Sequence, residues 1–190
     1  MAENQDKVTE DSTDRAYENT IKQCKNLFLA KHSDYGASWR ILRFPSLVDQ
    51  IFIKAKRIRS IEEKKTAKIN DSIESEFVGL VNYCIIAFIQ LEIKPDFNTY
   101  TPIHELTARY DKYAQKAKKL MQAKNHDYGE VWKEMYVTSF TDLILVKLLR
   151  IRSIIENNGK TSVSEGIEAN LYDIINYSVF ALIKINQSKS

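Results

Sequence analysis

The amino-acid sequence predicts an all-α fold: two tandem three-helix repeats packed as a pseudo-twofold helical bundle. Three observations lead there. The stretch KHSDYGASW, Lys31 to Trp39, returns as KNHDYGEVW, Lys124 to Trp132, with Lys, Asp, Tyr, Gly and Trp at the same spacing. The same offset of 93 residues carries Lys54, Arg57, Ile58 and Arg59 onto Lys147, Arg150, Ile151 and Arg152, and an offset of 94 then carries Glu74, Asn82 and Tyr83 onto Glu168, Asn176 and Tyr177. Five Gly and three Pro in 190 residues, against many Leu, Ile, Lys, Glu and Ala, favour helices over a turn-rich β protein.

Taken in order, residues 1–12 are polar and acidic and are expected to form a disordered tail. Residues 13–92 form the first repeat, 93–101 (IKPDFNTYT) a linker and 102–187 the second repeat. The first helix of each repeat, about Asp14 to Lys31 and about Pro102 to Lys124, carries apolar residues at helical spacing, with Thr101 as cap and Pro102 at the first helical position. Gly36 and Gly129 follow, in a loop where a positive φ is expected and where the Tyr and Trp rings pin the loop to the helices. The second helices are expected to open at Ser46 and Ser139, with Asp49 and Asp142 three residues on in a capping-box-like pattern. The third helices, about Ser72 to Glu92 and about Ser164 to Ile185, are the most apolar and should be the buried centre of each half. Three such helices bury too little surface alone, so the halves should pack face to face.

Charge and composition exclude several classes. A balance of 28 basic against 25 acidic residues, net +3, does not by itself mark a nucleic-acid protein, so any positive site is local. The N-terminus has no apolar core of signal-peptide type and no run approaches the roughly 18 apolar residues of a membrane span, which leads us to expect a cytoplasmic protein. Cys24 and Cys84 lack metal-type spacing and align with Ala117 and Ser178, which reads as packing rather than redox chemistry.

Candidate site residues come from the repeat. Asp34 and Asp127 lie at helix ends where a carboxylate meets the negative end of the dipole, so each either caps a turn or awaits a cation. Lys31 and Lys124 either satisfy that dipole or join the site. Lys54 with Arg57 and Lys147 with Arg150 share a helical face, either a solvated basic face or a surface for phosphate oxygens. His32 aligns with Asn125 and His126 with Ser33, so neither histidine repeats. Glu76 aligns with Asn170 and Gly79 with Asp173, so an acidic pair of metal-binding spacing is half present in each repeat. Asp173, Asn176 and Tyr177 share a face inside an apolar helix, and a buried Asp173 needs a partner: Lys147 or Arg150 for structure, Mg²⁺ or a ligand for function.

The KxxDYGxxW motif, the following KxxRI helix and a helix carrying Asp and NY make the chain resemble the nucleotide modification associated domain 1 family over essentially its whole length, in a duplicated form. The resemblance implies a role in making or handling modified nucleotides. Its helical pattern is also similar to that of all-α nucleoside triphosphate pyrophosphatases, which bind Mg²⁺ through clustered Glu and Asp; this sequence departs from them by offering Lys54, Arg57, Lys147 and Arg150 at such places. The leading expectation is a nucleotide-binding protein. Lys31, Lys54, Arg57, Lys124, Lys147, Arg150, Asn176, Tyr35 and Tyr128 would bind the ligand. Asp34, Asp127 and Asp173 would carry any catalysis, and Asp127, Asp173 and Glu168 would hold any Mg²⁺, with anhydride hydrolysis the reaction to test if it is an enzyme. A non-catalytic interaction module built as an intramolecular dimer is the first alternative, and nucleic-acid binding through the KAKRIRS face the second.

Overall fold

The computed structural model describes residues 2–65, 72–161 and 165–189, with side chains from Ser12 onward. Among the described residues there are six α-helices: α1 (Ala2–Tyr35), α2 (Phe44–Lys64), α3 (Ile73–Ile93), α4 (Ile103–Tyr128), α5 (Val137–Glu156) and α6 (Ile167–Gln187). Short 3₁₀ turns at Ser38–Ile41 and Val131–Lys133 follow α1 and α4. No strand occurs among the described residues. The tail expected over residues 1–12 lies, Ser12 apart, outside the residues whose side chains are described, and so does Ser164 at the expected start of the last helix.

The two repeats share one core. α2 packs on α3 and α5 on α6 within each half, while α3 meets α6 and α2 meets α5 across the halves, giving a four-helix bundle. α1 and α4 cover the outer side of α3 and α6. This explains why α3 and α6 are so apolar: Phe77, Leu80, Val81, Ile85 and Ile89, and Leu171, Ile174, Ile175 and Val179, are fully buried. By length and composition α3 would pass for a membrane span, contrary to the expectation above. Its place in the core accounts for that composition, since 67% of its most apolar window is buried against other helices.

A pair of symmetric hydrogen-bond sets locks the halves together. The Tyr17 hydroxyl donates to Asn176 Oδ1 at 2.7 Å, and Asn176 Nδ2 donates to the Ala117 carbonyl. Correspondingly, Tyr110 donates to Asn82 Oδ1 at 2.9 Å, and Asn82 Nδ2 donates to the Cys24 carbonyl. Each buried Asn thus binds the first helix of its own half and a tyrosine of the other. Burial pushes both tyrosine hydroxyls well above their ordinary range, so they stay protonated donors.

The helix starts differ from expectation. Arg43, not Ser46, caps α2, because Pro45 fits the first turn and the Arg43 carbonyl accepts from the amides of Ser46 and Leu47. α5 likewise begins after Tyr136, ahead of Ser139. Pro102 is itself the cap of α4, its extended backbone leaving its carbonyl to accept from Glu105 and Leu106. Asp49 and Asp142 are therefore not capping-box residues. They form reciprocal ion pairs across the halves, Asp49 with Arg152 at 2.8 Å and Asp142 with Arg59 at 3.1 Å. Ser72 does cap α3, accepting from the Ser75 amide.

Candidate functional site

In both copies of KxxDYGxxW the glycine ends the long first helix in the left-handed region, Gly36 at φ +66° and Gly129 at φ +65°, and its amide closes the last turn onto His32 or Asn125. Trp39 and Trp132 are buried beneath the loop, as expected. Tyr35 and Tyr128 are not: they are 56% and 70% exposed, so the tyrosines do not pin the loop. The loop is held instead by the chain after it. Buried Arg40 donates to Gln90 Oε1 and to the Lys94 carbonyl, and Gln90 Nε2 donates back to the carbonyls of Arg40 and Leu42. In the second repeat the aligned Lys184 donates to the Lys133 carbonyl.

The first repeat encloses a cavity of about 360 Å³ between the end of α1, this loop, α2 and α3. Its walls are aromatic and aliphatic (Phe28, Tyr35, Trp39, Tyr83, Leu42, Ile86), with Lys31, His32 and Lys54 as its ionisable polar groups. Lys31 is exposed and makes no ion pair or hydrogen bond among the described residues. His32 Nδ1 is buried without a hydrogen-bond partner. Such an atom normally requires a ligand or an ordered water. Lys54 lies 5.8 Å from the Tyr83 ring centre, and burial raises the Tyr83 hydroxyl above its ordinary value. Outside the lining, at the start of α3, Glu76 is buried and takes Arg57 at 2.5 Å and Lys54 at 3.2 Å. Gly79 makes room for the Lys54 chain, since a Cβ there would meet Lys54 Cδ and Cε at 2.7 Å.

The second repeat uses the same basic residues differently. Asp173, buried, binds Lys124 at 2.5 Å and Lys147 at 2.6 Å. Burial works against the Lys124 charge, yet the Asp173 hydrogen bond and charge together raise its pKa. Arg150 is exposed and makes no ion pair among the described residues. Asn170, at the place of Glu76, donates to the Gly166 carbonyl and leaves its own Oδ1 buried without a partner. Phe180, at the place of Ile86, stacks on Trp132 with ring centres 4.4 Å apart and planes 4° from parallel.

Of the predicted site residues, the structure brings Lys31, Lys54 and Tyr35 to one cavity, leaves Arg57 outside its lining on Glu76, and brings Lys124, Lys147 and Asp173 together in the other repeat. Asn176 serves the core through Tyr17, as described above. Asp34 and Asp127 do not join either arrangement. Both are exposed on the last turn of their helices, and Asp127 meets His126 Nδ1 at 3.2 Å. The trio expected to hold Mg²⁺ is not assembled: Glu168 and Asp173 line a separate open cavity of about 630 Å³, Asp127 is elsewhere, and Asp173 is already neutralised by two lysines. No group of three metal-ligating side chains occurs among the described residues. Sequence reasoning noted Glu76 as half of an acidic pair and His32 as an unrepeated histidine but assigned neither to the site; the signal for both was asymmetry between the repeats, since only one copy has either.

These features define a duplicated all-α protein with an aromatic, basic cavity in its first repeat. The chain belongs to the nucleotide modification associated domain 1 family, whose pattern matches residues 31–91 and 124–185, the two repeats in turn. No curated protein and no solved structure matches the chain.

Proposed function

We propose that the cavity of the first repeat binds a nucleotide. The observation that carries this reading is the set of unsatisfied groups around it: the free ammonium of Lys31 and the partnerless His32 Nδ1, beside Lys54 and among Phe28, Tyr35, Trp39 and Tyr83. A planar base suits the aromatic walls and a phosphate suits Lys31 and Lys54, with Arg57 held nearby by Glu76. The family description supports a nucleotide as the ligand class. Protein-bound Mg²⁺ does not fit the donor set, because the buried carboxylates Glu76 and Asp173 are each committed to two cations. The reading therefore stops at binding and routes no reaction through a metal.

The test is a thermal-shift screen against ribo- and deoxynucleoside mono-, di- and triphosphates, with and without Mg²⁺. A ligand at about 100 times its dissociation constant adds about 2.7 kcal/mol of stability. Lys31→Ala should abolish the shift without lowering the melting temperature of the free protein, because Lys31 holds no partner among the described residues. No shift with any nucleotide would overturn the reading and favour the interaction module.

A further inference from the structure

We infer that the chain binds one nucleotide, in the first repeat only, and that the second repeat holds a latent copy of the same site whose two lysines are taken by its own carboxylate. The inference rests on the nucleotide reading above. Three aligned positions carry it. At the first, Glu76 draws Lys54 and Arg57 toward the start of α3, which leaves Lys31 free; Asn170 stands there in the second repeat and draws no cation. At the second, Gly79 leaves an opening that the Lys54 chain crosses, whereas Asp173 fills it with a carboxylate. Both lysines that correspond to Lys31 and Lys54 close on that carboxylate, Lys124 at 2.5 Å and Lys147 at 2.6 Å. An internal anion thus takes the cations that a phosphate would use. At the third, Ile86 lines the open cavity, whereas Phe180 stacks on Trp132.

At the mouth, Lys124, Tyr128, Gly129 and Trp132 match Lys31, Tyr35, Gly36 and Trp39, while Asn125 stands in place of His32. The partnerless Asn170 Oδ1 is the trace of the exchange: a buried acceptor remains where the first repeat has its ion pairs. Moving one carboxylate by a helical turn therefore decides whether the lysine of the motif is free or paired.

Equilibrium dialysis against a mixture of ribo- and deoxynucleoside 5′-mono-, di- and triphosphates counts bound nucleotide per chain. The full-length protein should bind one. The fourfold change Asn125→His, Asn170→Glu, Asp173→Gly, Phe180→Ile rebuilds the first arrangement in the second repeat and should bring the count to two. The converse, Glu76→Asn with Gly79→Asp and Ile86→Phe, should bring it to zero. A wild-type count of two, or a folded fourfold variant that stays at one, overturns the inference and leaves the nucleotide reading standing. A wild-type count of zero overturns the nucleotide reading itself. If the fourfold variant fails to fold, the converse variant decides: affinity unchanged within two-fold overturns the inference, and a loss of ten-fold or more supports it.

Discussion

Tyr17→Phe and Tyr110→Phe test whether the halves form one cooperative unit. Each change deletes a hydroxyl and keeps the ring, so packing is nearly untouched. What is lost is the donor to a buried amide oxygen, Asn176 Oδ1 or Asn82 Oδ1. Tyr17, Tyr110, Asn82 and Asn176 are at most 7% exposed, so water cannot replace the donor. A buried acceptor left unpaired costs about 1–3 kcal/mol, and for a chain of this size each kcal/mol lowers the melting temperature by about 2–4 °C. Each single variant should therefore lose at least about 1 kcal/mol in urea unfolding followed by circular dichroism, with an unchanged slope. Tyr17 is close enough to raise the Tyr110 hydroxyl further, so the double variant measures their coupling. Single variants within about 0.5 kcal/mol of wild type, the range of inert surface changes, would refute the reasoning. So would two separate unfolding transitions, because bonds that cross the halves require both to melt together.

Two further outcomes are expected. Gly36→Ala and Gly129→Ala should each cost about 1–2 kcal/mol, from the left-handed backbone alone, since an added Cβ meets nothing within 4 Å at either position; thermal unfolding of the two variants should give matching losses. Hydrogen bonds from Lys112 and Tyr113 hold the Glu92 carboxyl down to about 2, from an ordinary 4.5. A depressed carboxyl contributes stability above its unfolded value and loses it as pH falls through the folded one. Glu92→Gln should therefore be less stable than wild type at pH 6, with the difference closing between about pH 4.5 and 2, as read from melting temperatures across that range.

The repeat made much of the fold legible. A motif that recurs at fixed spacing places three helices twice, and the apolar runs of α3 and α6 identify the centre of the core. Boundaries were less legible because two local signals compete at each start. Ser46 offers a cap, but Pro45 already satisfies the first turn and lets the helix begin at Phe44. Side-chain partners across the halves were not legible at all. Asp49 faces Arg152 only because α2 and α5 lie side by side, which no spacing within either helix states. The candidate site was half legible. Basic residues were found because they repeat, whereas the groups that distinguish the open cavity, Glu76 and His32, were passed over because they do not.

That division has a physical basis. Residues that hold the halves together act in symmetric pairs, Tyr17 and Tyr110, Asn82 and Asn176, and on the exposed rim Asp49 and Asp142 with their arginines. Loss of one of the tyrosines or asparagines leaves a buried polar group unpaired in the other half. Residues around the two cavities face no such constraint. Lys54 finds its anion at Glu76 and Lys147 finds its own at Asp173, one helical turn apart, and each arrangement leaves its buried charges paired. Stability therefore tolerates either arrangement, while only one leaves Lys31 and His32 without partners at the edge of an open aromatic cavity. In a duplicated helical protein of this kind, identity between the copies marks scaffold and site residues alike, and disagreement between them shows which copy leaves its site groups without partners.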